Sequence, residues 1–267
     1  MSINKMIVFP LGGLGNRIRV LNSAIEFSNN RNAKLYVCWV KDKMLNCDFE
    51  KLFEKSNEFE MIEYGRLNIL FLKMLNKFHF KYPNLFNMLY VFRNYHFNIH
   101  INKPFVISDC KKTIICTCNK FYENAQMHLR FNEEINSKVI RICKEFTDNT
   151  IGIHVRMNDN LISISHSPPK LFERKMDEII SRNKNTKFFF CTDDLDVKSY
   201  FLNKFGNILI TQNIGFDRNS EEGIIGAAVD MMCLAKTKVI YASYYSSFSE
   251  VAAEYSSTKR VVLETYR

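Results

Sequence analysis

An α/β fold of two halves, each a parallel sheet flanked by helices, is what this sequence predicts. Three observations lead there. A β-branched strand at the start runs into a glycine turn and a helix; strand and helix patterns alternate from Thr150 to the end; and polar residues gather at the tips of the strands in that second stretch. With 267 residues, 46% of them hydrophobic, the chain can bury one large core or two modest ones.

The opening KMIVF reads as a strand, and Pro10-Leu11-Gly12-Gly13-Leu14-Gly15-Asn16-Arg17 as a turn that glycines make easily. Ile18, Leu21, Ala24 and Ile25 recur at helical spacing, and KLYVCWV from Lys34 to Val40 completes a βαβ unit. From Tyr64 to Ser108 there is no acidic residue, while lysines and arginines interleave with aromatics. This basic, aromatic stretch, about 64–104, is expected to be a helical insert, either packed in the first core or lying on an anionic membrane. Strands follow at Phe105 to Asp109 and Thr113 to Cys118, and a helix from about Asn132 to Phe146 is expected to link the halves.

Beyond it the expected strands are TIGIHVR, KFFFCT, NILIT, KVIYAS and RVVLET. The expected helices are Pro168 to Arg182, Asp194 to Lys204, Glu221 to Ala235 and Ser246 to Tyr255. The fresh βα run at Thr150 places the domains at 1–148 and 149–267. The short apolar run in the opening MSINKMIVFPLGG is too short for a membrane span and lacks a signal peptide's cleavage region. Eight scattered cysteines give neither a C-x-x-C metal pattern nor a disulfide framework, so a reducing, cytoplasmic setting is expected. A net charge of +9 suits an anionic partner, but no nucleic-acid-binding signature accompanies it, so a specific nucleic-acid partner is not expected.

In an open α/β sheet ligands bind at the carboxyl ends of the strands. Three tips are polar: His154-Val155-Arg156-Met157-Asn158-Asp159, Thr192-Asp193-Asp194, and Ser243-Tyr244-Tyr245-Ser246-Ser247. Arg156 has the planar fork that binds a diphosphate, and a carboxylate such as Asp230 or Asp159 would hold it in place. Ser246 and Ser247 open a helix, as a phosphate site or as a plain cap; Thr192, Asp193 and Asp194 either cap the next helix or bind ribose and base edges. The Gly12–Arg17 loop has neither G-x-G-x-x-G nor P-loop spacing, which disfavours NAD and ATP.

Taken together, these residues resemble the fucosyltransferase superfamily of GT-B glycosyltransferases, its bacterial α1,2 branch and its α1,6 branch. The loop Gly12 to Asn16 resembles the N-terminal signature of the α1,2 branch, and IGIHVRMND at Ile151 to Asp159 the H-x-R-R-x-D donor motif. Phe188 to Asp194 and Val229 to Ala253, with Ser246-Ser247-Phe248-Ser249, resemble two later motifs. The resemblance implies two Rossmann-like domains with a cleft between them, and metal-independent inverting transfer, most often of fucose from GDP-fucose, to a glycan acceptor. No cofactor and no metal site are implied. It also implies that Arg156 contacts the diphosphate, that His154 and Asp159 shape the pocket, that Ser246 to Ser249 line it, and that Asp230 holds Arg156.

The chain departs from the pattern twice: Met157 stands where a second arginine belongs, and the loop Asn160 to Ser167 contains no carboxylate. Asp159, His166, Glu26 and Asp42 are the candidate bases. A binding module that lost its chemistry is the alternative to an enzyme, and a basic nucleic-acid-binding protein is the third reading.

Overall fold

The structure, a computed structural model, describes residues 5–63, 65, 74, 95–97, 112–157, 161–213 and 217–265. The chain divides into two compact units: 1–44 with 54–130, and 45–53 with 131–267. The division falls at 130/131 and not at the expected 148/149.

The first unit carries a five-stranded, wholly parallel sheet in the order β3-β2-β1-β5-β4. Its strands are β1 (Lys5–Pro10), β2 (Lys34–Val37), β3 (Glu60–Met61), β4 (Tyr95–Phe97) and β5 (Lys112–Thr117). Helix α1 (Leu14–Asn29) leaves β1 through the glycine turn, and its inward face is a run of residues with almost no exposure. Within the stretch expected to be helical, 95–97 form a strand paired with β5; apart from Gly65 and Met74, the rest of 64–104 lies outside the described residues, as does the strand expected at Phe105 to Asp109.

The second unit repeats the architecture with β6 (Ile151–Val155), β7 (Phe188–Thr192), β8 (Leu209–Ile210), β9 (Val239–Ser243) and β10 (Lys259–Leu263) in the parallel order β10-β9-β6-β7-β8. Around it lie α2 (Glu133–Cys143), α3 (Leu161–His166), α4 (Pro169–Arg182), α5 (Leu195–Phe205), α6 (Glu221–Ala235) and α7 (Ser247–Ser256). A parallel sheet must be apolar on both faces, and β7 shows it: Phe188 and Phe190 meet Phe205 and Phe201 of α5, while Phe189 meets Phe146 on the other side. Close helix approach to β6 depends on Gly152, where an added Cβ would stand 2.7 Å from Thr237 Oγ1 and 2.9 Å from Leu234 Cδ2.

The expected linker helix is α2, and it belongs to the second unit because its apolar face packs on α6. The segment 45–53 joins it. Phe53 stacks on Phe131 with ring centroids 4.9 Å apart, Asn46 bonds to the carbonyls of Arg218 and Asn219, and Leu45 and Leu52 are fully buried. Residues 161–166, read as loop, form the short helix α3.

Candidate functional site

From β6 the chain moves outward to β7 and β8 and then returns to the other side of β6 as β9. The reversal makes the carboxyl ends of β6 and β9 the topological switch point, the crevice where such sheets take ligands. His154, Arg156, Ser243 and Ser246 all lie there. The strand tips are tied to one another through the backbone: the Arg156 N–H donates to Ser243 Oγ at 3.0 Å, and the Met157 N–H donates to Asp193 Oδ1 at 2.7 Å.

His154 is 6% exposed, with the Phe248 ring stacked on it at 5.0 Å. Burial, with the charges of Arg156 and Arg260 added, pushes its pKa down to about 3, so the imidazole is neutral at physiological pH. Its Nδ1 is buried and has no hydrogen-bond partner among the described residues. Such a ring presents an uncharged polar edge that a ligand can satisfy.

Helix α7 begins at the same crevice. Ser246 is its N-cap, yet its side chain makes no capping bond; the hydroxyl is buried and without a partner among the described residues. The first-turn amides of α7 and this hydroxyl therefore form a donor set suited to an anion. Ser249, fully buried, donates to the Ser246 carbonyl at 3.3 Å and accepts from Arg260 Nη1 at 3.5 Å. Ser247 is the first residue of the helix.

At the tip of β7 the two aspartates divide their roles. Asp194 caps α5, accepting the Val197 N–H at 2.8 Å, while the Thr192 hydroxyl accepts the Asp194 N–H at 3.3 Å. Asp193 is the residue that braces β6. Asp230 corrects the sequence reading: its carboxylate accepts a hydrogen bond from Gln212 Nε2 and does not hold Arg156. The Gln212 amide also reaches the Gly226 carbonyl, and burial raises the Asp230 pKa to about 7. Asp159 lies outside the described residues.

In the first unit, Gly12 takes φ +82°, and a Cβ there would come within 2.8 Å of the Asn16 amide. Gly13 is the N-cap of α1, which leaves the amides at Leu14 and Gly15 without a side-chain cap. Arg17 is no ligand arm. Fully buried, it gives Nε to the Gly12 carbonyl and Nη1 to the Val40 carbonyl, pairs with Asp42 at 3.1 Å and stacks on Trp39. Asn16 is likewise occupied, accepting from Arg19 at 2.7 Å. Of the other candidate bases, Glu26 bonds His128 Nε2 at 2.9 Å, and His166 stacks on Tyr244 at 4.6 Å.

Sequence reasoning missed Gln212, Ser167 and Arg260. Ser167 Oγ accepts the Tyr244 N–H and so fixes the turn between β9 and α7. No signal marks a glutamine or serine in a polar loop; only the fold shows what it faces.

By sequence, no protein-family profile and no curated protein matches the chain. By structure it is similar to the NodZ alpha-1,6-fucosyltransferase of Bradyrhizobium soaked with GDP-fucose, at a TM-score of 0.62 and 16% identity, over 95% of this chain and 92% of that one. POFUT1 in complex with GDP gives 0.62 at 9% identity, over 98% and 99%. A point mutant of Arabidopsis thaliana FUT1 in complex with GDP gives 0.65 at 14% identity, over 98% of this chain and 70% of that one. The chain shares the two-sheet, GT-B-like α/β fold of these structures.

Proposed function

We propose that this chain is a glycosyltransferase that takes its sugar from a guanosine diphosphate donor, most simply fucose from GDP-fucose, and passes it to a glycan hydroxyl. One observation carries the reading. At the β6/β9 switch point an arginine, a neutral buried histidine and an uncapped helix start meet, in a fold shared with structures that hold GDP or were soaked with GDP-fucose.

The chemical problem is the leaving group. As the glycosidic bond breaks, negative charge grows on the β-phosphate, and Arg156 with the first-turn amides of α7 would stabilise it; one such donor is worth about 3 kcal/mol. The Asp193–Asp194 pair supports a metal-independent reaction, since one carboxylate caps a helix and the other braces β6. Inverting transfer then needs a base for the acceptor hydroxyl. Asp159 is our candidate, because Glu26 and Asp42 are bonded to His128 and Arg17. Free thiols at all seven described cysteines support a reducing, cytoplasmic setting.

A second reading, a sugar-nucleotide-binding module without transfer, is favoured by Met157, whose side chain packs against the apolar cluster of Ile153, Val155 and Phe172. Two measurements separate them. GDP and GDP-fucose should raise the melting temperature while UDP and ATP do not; a larger shift with a UDP-sugar would sink the GDP reading. Incubation with GDP-fucose and EDTA should release GDP, by hydrolysis or transfer; binding with no release identifies the module.

A further inference from the structure

The donor motif that the chain resembles places two arginines side by side, and here the second position is Met157. Alternation along β6 explains why an arginine there would be of little use: Ile153, Val155 and Met157 pack into the apolar cluster beneath α4 and α5, whereas His154 and Arg156 belong to the opposite face. On that opposite face stands another cation. Arg260 of β10 is in register with Ile240 of β9, and Ile240 with Gly152 of β6, so its side chain shares the face of His154.

From the edge strand its guanidinium reaches the first turn of α7, donating to Ser249 Oγ at 3.5 Å. Its charge is near enough to His154 to oppose protonation of the ring. Among the described residues it makes no ion pair, while the neighbouring Ser246 hydroxyl, 4% exposed, has no partner either. A half-buried arginine with no carboxylate partner among the described residues, joined through Ser249 to an uncapped helix start, is a cation arranged to meet an anion.

We propose that Arg260 is the second positive charge of the diphosphate site, brought in from β10 across the sheet in place of the arginine missing at position 157. The proposal rests on the nucleotide reading above, and it makes Arg260 a binding residue for the diphosphate and not for the nucleoside. Through Ser249 it also fixes the Ser246 carbonyl and hence the direction of the α7 amides.

Calorimetric titration of the full chain with GDP and, separately, with guanosine tests it. Arg260→Met keeps most of the stem's packing on the edge strand and deletes the charge; Arg260→Lys keeps the charge. For Arg260→Met, GDP affinity should fall about tenfold or more while guanosine affinity stays within about twofold, and Arg260→Lys should recover part of the GDP affinity. The dependence of GDP affinity on salt should also become shallower in Arg260→Met. Equal losses for GDP and guanosine, or no loss for either, would overturn the assignment, as would a lysine variant no better than the methionine one. Wild-type protein that binds neither GDP nor guanosine would instead refute the nucleotide reading itself.

Discussion

Arg17, in the first turn of α1, and Arg156, just past β6, each follow the opening strand of a unit, and sequence gives no way to tell their roles apart. In the fold they differ completely. Arg17 is sealed in the first unit, its guanidinium committed to two carbonyls and to Asp42, and burial lowers its pKa against the raising influence of that partner. Arg17→Met should therefore destabilise by about 3–5 kcal/mol, because it strands a carboxylate and the Gly12 carbonyl; chemical denaturation would show it. Arg156→Ala should leave circular dichroism unchanged and lower turnover on the order of a hundredfold, with Arg156→Lys between the two, as kinetics on GDP-fucose would record. His154 gives a sharper test still. Its ring should stay unprotonated at pH 5 in nitrogen-detected NMR, where an ordinary histidine is charged. Below pH 6.5 the unfolded chain takes up a proton that the folded one refuses, so His154 removes stability as pH falls toward its folded value near 3.

Two helix starts show the same difference one level up. Asp194 and Ser246 both occupy N-cap positions, and both were legible as caps in the sequence. Only Asp194 makes the bond. Asp194→Ala should lower stability by about 1 kcal/mol in urea melts. Ser246→Ala should leave those melts nearly unmoved and weaken GDP binding, since its hydroxyl has no partner among the described residues. The long elements were readable because their periodicity is long: α4, α6 and β7 run as their patterns predict. Helix α3 and strands β3 and β4 were not, because six, two and three residues carry too little pattern to outweigh tertiary context. The partner of Asp230 was illegible for another reason. Its neighbour Gln212 comes from the loop after β8, and only the packed sheet brings the two together.

For the molecule as a whole, Asp230 sets a pH trend. Folded, it keeps a proton up to about pH 7 that the unfolded chain releases near 3.8. Its contribution to stability is thus full below pH 4, declines between 4 and 7, and is gone above. Asp230→Asn should gain on the wild type as pH rises from 4 to 8, by on the order of a few kcal/mol at most, read from denaturation midpoints at the two values. The division at 130/131 leads to another expectation: a fragment starting at 149 loses α2 and bares the face of α6 that it covers.

The segment 45–53 also imposes an order on events during synthesis. It leaves the ribosome early, with the first unit, but the surfaces that receive it, Phe131 and the loop at Arg218 and Asn219, are made much later. Until then Leu45, Leu52 and Phe53 have no core to enter, and the second unit closes only by capturing a piece of chain already translated. Such distant pairing makes late assembly slow, and it leaves the apolar side chains of a nine-residue stretch waiting for their partner in the nascent protein.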